Sequence, residues 1–138
     1  MTTFNSDVQP ATNSTAQVWT GRVLSGIVGL FLAFGATMQI LQPQAAVEGT
    51  TKLGYPASML LPLGIIELIA LALYLIPRTS VLGAIVWTGY LGGAVATHVR
   101  VGDPLFTHIL MPVYFAAVLW GALALRNAQV RAVLKGAR

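Results

Sequence analysis

Cysteine is absent from the 138 residues. That excludes disulfides within the chain, thiol redox relays and cysteine-held clusters, and it leaves the compartment open. Charge is scarce as well. Only 9% of the residues are Asp, Glu, Lys or Arg, against about 25% in ordinary soluble domains. So little charge cannot wet a surface of normal size. The chain also lacks a phosphate loop, a serine-hydrolase elbow, a dinucleotide fingerprint and a zinc-protease helix. Its glycine-rich stretch, GYLGGA, falls inside an apolar run and reads as helix packing, not as a nucleotide cradle. The net charge of +4 and pI near 10 superficially suit a nucleic-acid binder. However, the eight basic residues are scattered among apolar runs and form no stripe for phosphates, so no nucleic-acid partner is expected.

Apolar residues fill the space that charge leaves. They make up 56% of the chain, and the mean hydropathy is +0.74. Four long apolar runs stand out, at about 18–40, 57–76, 79–99 and 105–125. Each approaches the ~20 residues that a helix needs to cross the hydrocarbon layer. The expected fold is therefore all-α: one domain over 18–127, an integral membrane antiparallel four-helix transmembrane bundle with the lipid bilayer as its solvent. The polar stretch 1–17 reads as a disordered tail. It lacks the basic start of a signal peptide, since the first basic side chain is Arg22. Residues 128–138 read as a basic tail that prolongs the fourth span along the membrane surface.

The connections are equally informative. Residues 41–56, LQPQAAVEGTTKLGYP, form a long polar link. Pro77-Arg78 is a tight turn that makes the second and third spans antiparallel neighbours. In the third link, Asp103 is placed to cap the fourth span, with Pro104 at its first helical position. Arg22, Arg78, Arg126, Arg131, Lys135 and Arg138 fall on one side of such a bundle, and Lys52 and Arg100 on the other. The positive-inside rule then gives a multi-pass cell-membrane protein with both termini cytoplasmic. Small residues mark expected packing seams: Ser25, Gly29, Ala33 and Thr37 on the first span, and Gly89 and Gly93, beside Gly92, on the third. Packing within one bundle is the plainer expectation for them, and a homodimer face the sharper one.

Several segments together carry a family resemblance. They are GRVLSGIVGLFLAFGATMQ in the first span, LGYPASMLLPLGIIELIALALYLIPRT through the second, GYLGGAVATHVRVGDP ending the third and WGALALRN ending the fourth. On these residues the chain resembles the DoxX-like family of small four-helix membrane proteins, over roughly 20–128. That resemblance implies the four-span fold. It also implies a link to membrane redox systems, because the family takes its name from a small subunit associated with thiosulfate:quinone oxidoreduction. A quinone is then a plausible ligand and a membrane oxidoreductase subunit a plausible partner. No resident cofactor is implied.

A few polar residues stand at depths where polarity is costly. Counting from the tight turn at ~1.5 Å per residue puts Glu67 ~15 Å into the membrane, near its middle. A charged carboxylate there costs at least ~2.5–3.5 kcal/mol, so it should face the bundle interior. A carboxyl kept neutral by its surroundings can donate a hydrogen bond or pass a proton; the bland alternative is interhelical glue. Tyr90 and Tyr114 reach a similar level, as does Trp87, which reads as packing. Gln39, Thr97, His98, Arg100, Thr107 and His108 sit nearer the outer end. The expected site is thus a polar cavity with Glu67 at its base and the two histidines at its mouth. Glu67 and His98 are the candidate acid and base; Gln39, Tyr90, Arg100, His108 and Tyr114 are the candidate ligand contacts. Arg100 with Asp103 reads first as a local ion pair, and second as an anion site. No metal site is expected, because no third histidine or cysteine completes one. Three functions remain open: an accessory or ligand-binding subunit of a quinone-linked redox system, a small isomerase or hydrolase acting on a lipophilic substrate, and a carrier or proton pathway.

Overall fold

The computed structural model describes residues 14–136. Among them are six α-helices: α1 (Thr15–Leu41), α2 (Gln44–Lys52), α3 (Leu60–Leu75), α4 (Ser80–Val101), α5 (Met111–Arg126) and α6 (Ala128–Leu134). A 3-10 turn, Ala57–Met59, leads into α3, and a π-helical turn, Leu105–Ile109, leads into α5. With those turns included, four helices are long and apolar enough to cross a membrane. The chain is an all-α, four-helix transmembrane bundle.

Local chemistry sets the boundaries. Helix α1 opens on a reciprocal capping box. The Gln17 backbone N–H donates to Ser14 Oγ at 3.3 Å, and the Ser14 N–H donates to Gln17 Oε1 at 3.2 Å. The helix therefore starts at Thr15, inside the stretch expected to be a tail; residues 1–13 lie outside the described residues. It stops where Gln42 turns left-handed, at φ 51°, ahead of Pro43. The 41–56 link is not merely a loop. Its Gln, Ala and Glu residues favour a helix, α2, which ends before Gly54 at φ 82°. Two further expectations fail. Asn127 leaves the helical region and caps α6 by accepting from the N–H groups of Gln129 and Val130, at 3.0 and 3.2 Å. The basic segment is thus a separate helix and does not prolong α5. Its Val130 is buried, and Arg131 donates to Gln17 Oε1 at 3.0 Å. Asp103 does not cap the last span either, because its carboxylate is held by His98.

The tight turn between α3 and α4 is built around the LIPRT segment. Ile76 is extended, as a residue before proline is biased to be. That leaves the last carbonyls of α3 without helical partners. Thr79 Oγ1 donates to the Leu73 carbonyl at 2.8 Å, and Arg126 Nη2 donates to the Tyr74 carbonyl at 2.6 Å. Gly83 then lies against this turn. A Cβ there would come within 2.5 Å of Tyr74 Cα, so only glycine admits the approach. Gly21 serves α1 and α5 in the same way, where a Cβ would sit 2.8 Å from the Ala122 carbonyl oxygen.

The four spans form a ring in the order α1, α3, α4, α5, with each helix packed on its two neighbours. Trp87, Tyr74, Leu119 and Leu123 fill the centre. The Tyr74 hydroxyl crosses the ring to donate to the Leu119 carbonyl at 2.9 Å and lies 3.2 Å from Ser25 Oγ. In lipid, apolar burial between helices gives little drive, so close approach and such bonds carry the association. Leu30, Phe34, Ile27, Ile69 and Ile85 point outward, as side chains facing acyl tails do.

Candidate functional site

The deepest polar cluster links three of the four spans. Glu67, on α3, is 6% exposed. Its Oε1 accepts from Gln39 Nε2 on α1 at 2.7 Å, and Gln39 Nε2 also donates to the Tyr90 hydroxyl on α4 at 3.0 Å. Both amide protons are then used. The Tyr90 hydroxyl hydrogen is left for the Glu67 carboxyl, to which it is bonded. The three side chains close a triangle. Glu67 accepts in both contacts, which join three spans as the interhelical alternative expects. Gln39 Oε1 is buried and has no partner among the described residues. Trp87, 1% exposed, sets its ring edge-on to Tyr90 at 5.5 Å and fixes the tyrosine from behind.

A cavity of about 270 Å³ lies toward the end remote from the termini. It is lined by Gln39, Tyr90, Leu63, Thr97, Tyr55 and His98 among others, with Gly89 and Gly93 in its wall. Glu67 is not on the lining and stands behind Gln39 and Tyr90. The roof comes from the link after α2. Thr97 Oγ1 donates to the Gly93 carbonyl at 2.9 Å, so at the 2.8 Å contact between hydroxyls Tyr55 is the donor. Arg100 Nη2 donates to the Leu53 carbonyl, and its guanidinium lies 5.8 Å from the centre of the Tyr55 ring. Arg100 is therefore a tie holding the roof. It neither pairs with Asp103 nor faces the cavity, which corrects the expected local ion pair.

Beyond the roof is a second hollow, lined by Lys52, Asp103, His108 and the side of α2 that carries Ala46, Gly49 and Thr50. His98 borders both spaces. Its Nδ1 lies 2.6 Å from Asp103 Oδ2. Its ring meets that of His108 at 5.8 Å, while His108 Nδ1 is bonded to Thr107 Oγ1 at 2.8 Å. The two histidines are thus together at the mouth. His98 is eight residues beyond Tyr90 on α4, or ~12 Å along the axis. Tyr114 is 49% exposed on α5 and joins neither hollow.

Of the residues expected at the site, Gln39, Tyr90, Thr97 and His98 line one cavity, and Glu67 is bonded to the first two of these. Sequence reasoning missed Tyr55, Thr50 and Leu53, which close the cavity from the 41–56 link. The signal for Tyr55 was present in the LGYP segment, which had served only for the resemblance. The glycines of α4 do not meet the plainer expectation of packing within one bundle. No described atom comes within 4 Å of a Cβ built on Gly89, Gly92 or Gly93. They therefore pack against nothing within this bundle, whereas Ser25 and Gly29 of α1 are buried against α3.

A family model described as the DoxX-like family matches residues 23–122, from the first turns of α1 into α5. No curated protein and no solved structure matches the chain. With the family model covering most of its length, the chain belongs to the DoxX-like family.

Proposed function

We propose that this DoxX-like membrane protein is a ligand-binding, accessory subunit of a quinone-linked membrane redox system, with the cavity between α1, α3 and α4 as its binding site. One observation carries the reading. Gln39 and Tyr90, tied to each other and to the buried Glu67 behind them, form the floor of a cavity that Tyr55 and Thr97 also line. Hydroxyl and amide groups converging on a mostly apolar space are what fixes the carbonyl or hydroxyl of a small ligand. The rigid floor offers acceptors and hydroxyls of the kind that a quinol or quinone head group uses. Family membership supports the redox association. In this reading the oxidoreductase partner carries the electrons and this subunit holds the lipophile. By the arginine and lysine distribution, the termini and the tight turn face the cytoplasm and the cavity lies in the outer half of the membrane.

The test is titration of the purified protein in mild detergent with decylubiquinone and its quinol, read by quenching of tryptophan fluorescence, since Trp87 packs against Tyr90. Binding that Gln39→Leu weakens supports the reading. No binding, together with failure to recover an oxidoreductase from the membrane, removes it.

A second reading has its own observation. Asp103 at His98 Nδ1 fixes the ring tautomer and leaves Nε2 as an acceptor beside the cavity, as in a small enzyme using His98 and Glu67 as base and acid. The levels of Tyr90 and His98 differ by ~12 Å along α4, and Glu67 bonds to Gln39 and Tyr90 while His98 bonds to Asp103. That separation ranks catalysis below binding. Glu67→Gln would abolish turnover of a lipophilic ester or isomerisable substrate, with fold intact, if catalysis were the role.

A further inference from the structure

We infer that the cavity opens sideways into the bilayer between α3 and α4, at Gly89 and Gly93, and takes the uncharged head of a lipophile whose tail stays in the membrane. The inference rests on the proposed binding role and adds the route and the ligand class.

Three observations lead to it. The first is the shape of the α3–α4 pair. The helices are pressed together at Gly83, where a Cβ would sit 2.7 Å from the Leu73 carbonyl carbon. Further along, Leu63 of α3 faces Gly89 and Gly93 of α4 across the cavity, and nothing described fills the space at either glycine. The gap therefore widens away from the tight turn. The second is that both glycines are exposed although they line the cavity. They continue an outward stripe on α4 that runs from Ile85 to Ala96 and Val99. One side of the helix is at once cavity wall and lipid-facing surface. The third is size. An apolar cavity of about 150 Å³ accepts benzene. A space of about 270 Å³ holds a substituted ring and leaves no room for a long chain, so the chain must leave the cavity, and the opening beside Gly89 and Gly93 is the one that faces lipid.

The lining sets the charge of the head. Gln39, Thr50, Tyr55, Tyr90 and Thr97 offer hydroxyl and amide groups. No Lys or Arg is among the described lining residues, and Arg100 is occupied by the Leu53 carbonyl. A carboxylate, phosphate or sulfur oxyanion would meet no fixed positive charge and would stand near Glu67. A neutral carbonyl or hydroxyl head fits.

The experiment uses two probes on the whole protein in nanodiscs: a decyl-tailed benzoquinone with a diazirine at the tail end, and the same head without a tail. Photolysis should label the outward faces of α3 and α4, near Ile66 and Ile85. Labels on Ala46, Gly49 or His108 would mean that the tail leaves through the aqueous mouth, and would overturn the lateral route. Gly93→Leu should lower affinity for the tailed probe at least tenfold, and by at least three times the factor lost by the tail-less one. Gly92→Leu, placed equally in open space but outside the cavity lining, should change neither. Equal loss of both probes in Gly93→Leu, or loss of neither, would overturn the inference while leaving the binding role standing. Failure of the unaltered protein to bind either probe would overturn both.

Discussion

The Gln39–Glu67 contact decides whether the central triangle is chiefly a strut or a site, and a double-mutant cycle measures which. Glu67→Leu removes the acceptor at 2.7 Å and the second partner of Tyr90. Gln39 keeps Tyr90 at 3.0 Å, but one amide hydrogen is stranded in a dry place. A buried group so deprived costs about 1–3 kcal/mol. Burying leucine where a carboxyl had been desolvated recovers part of that. The single change should therefore cost about 2 kcal/mol, and Gln39→Leu about the same. With both polar partners gone, two leucines meet in an apolar setting, a replacement that is often close to neutral. Interhelical bonds in membranes couple by about 0.6 kcal/mol on average and about 1.7 at most. A coupling near 1 kcal/mol is therefore expected, with the double variant more stable than the sum of the two singles. Unfolding in mixed micelles, followed by far-UV circular dichroism, reads all four corners. Strict additivity would refute the reasoning, because it would mean that the two side chains do not depend on each other. The same double variant separates strut from site: if it folds as the parent does and no longer binds decylubiquinone, the triangle's purpose is recognition.

Further outcomes follow from the ends of the bundle. Gly83→Ala drives a methyl into the Tyr74 backbone, which cannot yield as a side chain can; overpacking of this kind costs about 1–3 kcal/mol, and the upper half of that range is expected in the same unfolding assay. Arg126→Met strips the Tyr74 carbonyl of its donor and the Tyr74 ring of a cation 4.6 Å from its centre, and should destabilise by about 2 kcal/mol. A loss under 0.5 kcal/mol would show that the α3 terminus finds another partner. Arg100→Gln unties the roof at the Leu53 carbonyl. Amide exchange should then accelerate over residues 50–55 with little change in global stability, and ligand should leave faster without arriving much more slowly. Unchanged exchange there would remove Arg100 from the roof.

Much of the fold was legible because lipid allows few answers. Each run of about twenty apolar residues must satisfy its own backbone, and only a helix does so. The Pro77 turn was legible as well, since a residue before proline avoids the helical region. What escaped was set by distant partners. Asp103 has the right spacing to cap the last span, yet its carboxylate reaches back five residues to His98. A short polar side chain in a turn has several local partners, and sequence spacing does not rank them. Asn127 likewise sits in an unbroken helical pattern until its side chain turns to cap α6.

The α4 glycines show the deeper limit. In lipid, a glycine at helical spacing has the same sequence appearance whether a neighbouring backbone fills its notch or nothing does. The difference lies in what stands opposite. Gly83 meets the Tyr74 backbone, which Thr79 and Arg126 fix in place from two other elements. Gly89 and Gly93 would meet α3 as well if the two helices ran parallel. They do not meet it; at that end Tyr55, from the α2–α3 link, bonds to Thr97 of α4 and joins the cavity lining. The same helix thus carries one glycine that closes a fork and two that keep it open. Tyr55, which lines the space they leave, lies outside all four spans. A reading confined to the apolar runs locates the floor of the site and overlooks the link that closes it.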